Sequence, residues 1–77
     1  MLEFFIDVIA KFEASTGKVV PLSFKFENKI IKIDKVIDVR PAASLKHGGQ
    51  GTRYTCKTDN ITYYLFYDDD KWFIEFI

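Results

Sequence analysis

Apolar and polar positions alternate most clearly over Thr52–Ile77. Two turn signals, Asp59-Asn60 and Asp68-Asp69-Asp70-Lys71, divide this stretch into three short β-rich runs. Setting Thr58 opposite Ile61 pairs Cys56 with Tyr63 and Tyr54 with Leu65. Setting Tyr67 opposite Trp72 pairs Leu65 with Ile74 and Tyr63 with Phe76. The two turns, taken independently, put the same apolar set on one face, which predicts an antiparallel meander.

Upstream, the period is also two. Val20, Leu22, Phe24 and Phe26 alternate with Pro21, Ser23, Lys25 and Glu27. A tight turn at Asn28-Lys29 would carry the inner face on to Ile31 and Ile33 and set Lys25 opposite Lys32. Pro21 lacks a donor and points to a late start or an edge. The alternation falters over Lys35-Val36-Ile37-Asp38-Val39, as at a bulge, and Pro41 closes the run. Residues 2–14 read differently. Leu2, Phe5, Ile9 and Phe12 recur at helical spacing against Glu3, Asp7 and Lys11, with Phe4 half exposed and Gly17 placed for a left-handed C-terminal cap.

These elements predict an α+β fold in a single domain spanning 1–77. An N-terminal helix over about 2–14 precedes about five antiparallel strands in a meander over 20–77, with a long loop at 42–51. The strands would form a small curled sheet or an SH3-like barrel, the helix closing a mouth or lying across the sheet. The expected inner set is Leu22, Phe24, Phe26, Ile31, Ile33, Tyr54, Cys56, Tyr63, Leu65, Trp72, Ile74 and Phe76.

Composition narrows the function more than it names it. A chain of 77 residues sits near the lower size at which a core forms unaided, and eight Phe, four Tyr and one Trp supply that core. The lone Cys56 forms no internal disulfide and falls on the inner face, which fits a reducing cytoplasm. The apolar start is too short for a membrane span and lacks the basic flank of a signal peptide. Net charge is zero but uneven: residues 1–17 carry −2, residues 18–57 carry +6 and residues 58–77 carry −4. A basic centre between acidic ends marks an anionic partner or holds the chain together electrostatically.

Candidate chemistry follows from the outward positions Arg53, Thr55, Lys57, Thr62, Tyr64, Phe66, Phe73, Glu75 and Ile77. Cations beside aromatic planes suit single-stranded nucleic acid, so Lys25, Lys32, Arg53 and Lys57 would meet phosphates while Tyr64 and Phe66 stack bases. The alternative is a protein–protein or homodimer face of Tyr64, Phe66, Phe73 and Ile77. Arg53 over Phe66 also fits a purely local cation–π pair. Asp68-Asp69-Asp70 lacks the spacing of a calcium loop, and His47-Gly48-Gly49-Gln50-Gly51 lacks the Lys-Ser/Thr of a phosphate loop. No metal, cofactor or catalytic set is expected.

Arg53-Tyr54-Thr55-Cys56-Lys57-Thr58, Tyr64-Leu65-Phe66-Tyr67-Asp68 and Trp72-Phe73-Ile74-Glu75 together resemble small bacterial domains of unknown function with an R-Y-x-V-x-T … Y-x-L-x-Y-D … W-x-L-E pattern. Asn60 stands where those domains favour Gly. Some of them occur in DNA-repair contexts, so the resemblance implies a bacterial, nucleic-acid-associated role and carries over no functional residue.

Overall fold

The computed structural model of the protein describes residues 2–42, 51–68 and 70–77, with side chains described from Phe5 onward. The exposure expected for Phe4, the His47 loop over 43–50, and Asp69 lie outside the described residues.

Eight strands form: β1 Leu2–Phe5, β2 Asp7–Phe12, β3 Val19–Phe26, β4 Lys29–Lys32, β5 Lys35–Ala42, β6 Gly51–Thr58, β7 Ile61–Asp68 and β8 Lys71–Phe76. No helix occurs among the described residues, so the fold is all-β and the α+β expectation is corrected. The segment expected to be helical is two strands meeting at Ile6. Six of residues 2–12 are Phe, Ile or Val, side chains that lose rotamer freedom in a helix and pack well on a pleated surface. Strand β1 also gives β8 a partner that would otherwise be missing, with Phe5 opposite Phe73. Gly17 is left-handed (φ +71) in a hairpin turn, where its N–H donates to the Glu13 carbonyl at 2.7 Å.

The strands make a five-stranded antiparallel sheet, β1-β8-β7-β6-β5, and a three-stranded one, β2-β3-β4. Chain continuity joins them twice. At Ile6 the first segment leaves the large sheet for the small one, and its N–H donates to the Trp72 carbonyl at 3.1 Å. At Ile33-Asp34 the chain passes back, with donors to the Leu22 and Lys57 carbonyls at 3.0 Å each. Strands that switch sheets at bends close the circuit around one core.

Within the meander the register is as expected. Thr58–Ile61, Cys56–Tyr63, Tyr54–Leu65, Tyr67–Trp72, Leu65–Ile74 and Tyr63–Phe76 all pair. The bulge in β5 lies between Val36 and Asp38, but the strand continues through Pro41 to Ala42. The β3–β4 turn is Glu27-Asn28, both with positive φ (51 and 64), one residue earlier than expected. Pairing therefore slips by two, which preserves the inner face but sets Lys25 opposite Ile30 and Lys32 opposite Ser23. The expected Lys25–Lys32 rung does not form.

Phe24, Ile33, Tyr54, Cys56, Tyr63, Leu65 and Ile74 are buried in the core, with Phe26, Ile31, Trp72 and Phe76 packed partly against them. Ile6, Val8, Val36 and Tyr67 join from positions not assigned to the inner set. Leu22 is the correction. It is the extra residue opposite the Ile9–Ala10 step, and the bulge turns it outward to 45 % exposure.

Two hydroxyls, those of Tyr54 and Thr58, bind the sheets together, and Tyr63 bonds the second of them. Tyr54 donates to the Val19 carbonyl at 2.7 Å, bridging β6 to β3. Thr58 Oγ1 donates its only proton to the Lys32 carbonyl at 2.9 Å, so Tyr63 is the donor in its 2.7 Å contact with Thr58. Leu65→Ala, at a position with no exposed surface, is expected to lose about 2–5 kcal/mol, whereas Leu22→Ala should lose under about 1 kcal/mol. Denaturant unfolding of both variants checks the contrast, and equal losses would contradict the bulge assignment.

Candidate functional site

The outer face of the large sheet divides into two regions. Its aromatic part is a packed layer. Phe5 meets Phe73 edge-on at 5.6 Å, Phe73 stacks on Phe66 at 5.4 Å and 19°, and Tyr64 lies against Phe66 at 6.3 Å. Phe66 and Phe73 are only 4 % and 2 % exposed, and Glu75 beside them is buried. Phe66 therefore offers no free ring to a base, and neither ring offers area to a partner. Of the aromatic positions proposed from sequence, Tyr64 stays half exposed, and Ile77 is 72 % exposed at the chain end.

The other region is cationic, and it is set by the pairing of β5 with β6. Lys35 stands directly opposite Lys57, and Arg40 directly opposite Arg53. Residues directly opposite share a face, and Arg53, Thr55 and Lys57 alternate with buried Tyr54 and Cys56, so all four cations face outward. Asp38 lies between the two rungs and takes the Arg40 Nε–H at 2.7 Å. Like-charged rungs cost roughly 1 kcal/mol or less each in water. The Arg53 guanidinium lies 4.6 Å from the Tyr64 ring centroid, not over Phe66 as expected. Its Nε is buried without a hydrogen-bond partner, a state worth roughly 1–3 kcal/mol to relieve.

Arg53, Lys57 and Tyr64 are thus brought together as expected, while Lys25 and Lys32 lie on the small sheet, the Lys32 carbonyl against Thr58 at the seam. Lys25 faces Asp7 across β2 and lines a groove of about 670 Å³ with Lys71, Trp72 and Phe5. Asp7, Glu27 and Asp70 line the same groove and offset its cations. Lys35 and Arg40 were not among the candidates, because the bulge at Ile37 breaks the alternation that would have assigned their face. Continuing the meander register backward across that bulge finds both.

Asp70 accepts the Tyr67 hydroxyl at 3.0 Å, and Asp68 pairs with Lys71, so both described acids of that run serve the hairpin turn. Among the described residues no group of three His, Cys, Asp or Glu is arranged to hold a metal ion. Among the described residues no helix is long and apolar enough to cross a membrane. Burial pushes the Cys56 thiol up to about 12 and the Tyr63 phenol likewise to about 12. No family model, curated protein or solved structure matches this chain.

A raised folded-state value means that stability is intact below the unfolded value and falls as pH climbs toward the folded one. For Cys56 that window runs from the ordinary thiol value of 9.0 to about 12. The native protein should therefore resist thiol reagents at neutral pH and lose stability progressively above about pH 9. Thiol labelling with and without denaturant, together with melting against pH, checks both. Rapid labelling of the native protein would show that Cys56 is accessible.

Proposed function

We propose that this protein is a non-enzymatic binding module of the cytoplasm that makes weak, salt-sensitive contact with single-stranded nucleic acid. The contacting surface is the stripe Lys35, Arg40, Arg53 and Lys57, with Tyr64 as its one stacking platform. The observation that carries this reading is the pair of like-charged rungs on neighbouring strands. Two like-charged rungs on one strand pair, the Arg40–Arg53 rung eased by the Asp38–Arg40 ion pair, are an unfavourable arrangement that a bound polyanion reverses.

The dimensions support an extended ligand. Arg53 and Lys57 are four residues apart on one strand, about 13 Å at ~3.3 Å per residue, and the second cation row lies about 4.8 Å away. A narrow, two-strand-wide row of charge suits one phosphate backbone. The guanidinium over Tyr64 forms a cation–π stack beside which a base can lie. Overall neutrality keeps the contact weak. A protein or homodimer face retains only Tyr64 and Ile77 of its four proposed residues at the surface. The single thiol, buried and without a disulfide partner, supports the cytoplasmic assignment.

Fluorescence anisotropy of a labelled oligothymidylate against salt tests the proposal. Engagement of all four cations gives a log–log slope of about −3, at roughly −0.7 per phosphate neutralised. Arg53→Gln and Lys57→Gln should each flatten that slope by roughly 1 or less, while Lys25→Gln, in the groove opposite Asp7, should change little. Salt-independent binding, or equal loss in the Lys25 variant, would overturn the stripe as the binding surface.

A further inference from the structure

A second feature lies between the sheets at the end that carries the β6–β7 turn. Here Phe24 and Phe26 of β3, Tyr63 of β7 and Phe76 of β8 surround a pocket of about 370 Å³, with Ile31 and Ile61 completing its wall. The rings meet in two steep pairs: Phe24 with Tyr63 at 5.4 Å and 65°, and Phe26 with Phe76 at 5.4 Å and 69°. Phe24 and Tyr63 form the buried floor, Phe26 and Phe76 are half exposed, and Ile61 is open to solvent. Pockets of this size, walled by aromatic and aliphatic groups with few polar atoms, are the usual form of a small-molecule site.

The polar groups at its edge give the sign of the ligand. Thr58 and Tyr63 spend their hydroxyl protons on the Lys32 carbonyl and on Thr58, so neither has a donor left for an anionic guest. Asp59 also lines the pocket, and its N–H donates a 2.7 Å bond to an Asp34 carboxylate oxygen, which brings a second acid to the same edge. Among the described residues neither carboxylate has an ion-pair partner, and none of the pocket's lining residues is basic. Aromatic faces below an uncompensated negative rim attract a cation that carries its charge on methyl-covered nitrogen, because such a group loses little hydration on entry.

We propose that this pocket binds a small alkylammonium group, quaternary or fully methylated, with the methyl groups resting against the Phe26–Phe76 ring pair from the pocket side and the charge toward Asp59. The site is independent of the cationic stripe, since it shares no side chain with it and selects the opposite charge.

Choline and its uncharged carbon isostere, 3,3-dimethylbutan-1-ol, separate the roles of charge and shape. In NMR titrations of the whole chain, choline should shift the Ile31 and Ile61 methyl and the Phe26 and Phe76 ring signals in a saturable way. Its own methyl resonance should move upfield under the rings. The isostere should bind about tenfold more weakly at the same residues. Asp59 sits at φ 53, a conformation Asn tolerates, so Asp59→Asn preserves the turn. That variant should weaken choline several-fold and leave the isostere unchanged. Equal affinity for the two probes, or an Asp59→Asn variant that binds choline as well as the parent, would overturn the cationic assignment. Shifts confined to other residues, or none at all, would overturn the pocket as a site.

Discussion

Everything in this molecule depends on two bends that carry the chain from one sheet to the other, at Ile6 and at Ile33-Asp34. A chain of this length cannot bury two independent sheet faces well, because too little surface leaves water to offset the ordering of the backbone. Passing the same strand through both sheets removes the need for separate connections and brings two edges together at each corner. The cost of a corner is a break in the ladder, where backbone donors would face nothing. Here those donors are satisfied across the seam by Trp72, Leu22 and Lys57 carbonyls. The Tyr54 and Tyr63 hydroxyls complete the work at the sites where the ladders diverge. Each has its ring in the core and its oxygen at the seam, which an aliphatic residue could not provide.

The corners also explain where sequence reasoning succeeded. Between Thr52 and Phe76 no strand changes sheet, each turn is a two- to four-residue hairpin, and one face is buried throughout, so alternation and turn chemistry specify the pairing together. Upstream, the errors lie at a corner, a bulge or a tight turn. Leu2, Phe5, Ile9 and Phe12 are spaced as on a helix, yet Phe5, Ile9 and Phe12 are exposed and it is Ile6 and Val8, two apart as on a strand, that pack on the core. Leu22 was assigned inward because a single added residue inverts the alternation. The β3–β4 turn was off by one because Glu27 adopts positive φ, a conformation uncommon outside Gly, Asn and Asp.

The candidate site was legible in proportion. Arg53, Lys57 and Tyr64 belong to the meander and were placed on one face from sequence, where the structure also has them. Phe66 and Phe73 were placed on the correct face, but alternation says nothing of whether a face is wet. They stack on one another, and Phe73 also meets Phe5, a neighbour supplied by a strand that was taken for a helix. Lys35 and Arg40 were invisible because their side of the sheet depends on the bulge between Val36 and Asp38. The basic centre of the sequence was apparent as net charge, and only register distributes that charge between two sheets.

The aromatic content is larger than one core of this size requires, and the structure accounts for the excess. Tyr54, Tyr63 and Phe24 fill the interior, while Phe5, Phe66, Phe73 and Tyr64 form a second layer outside the same sheet. That layer shields the outer side of the central strands and gives Arg53 a π surface on which to lie. A guanidinium held this way loses little further rotamer freedom when an anion arrives, whereas Lys35 and Lys57 are exposed and must be ordered by the ligand. Affinity at the stripe should therefore centre on the Arg53–Tyr64 pair, with the lysines adding long-range attraction and salt dependence. Under the proposed function, Phe66 and Phe73 would contribute without touching the ligand, by backing the Tyr64 ring against which Arg53 rests.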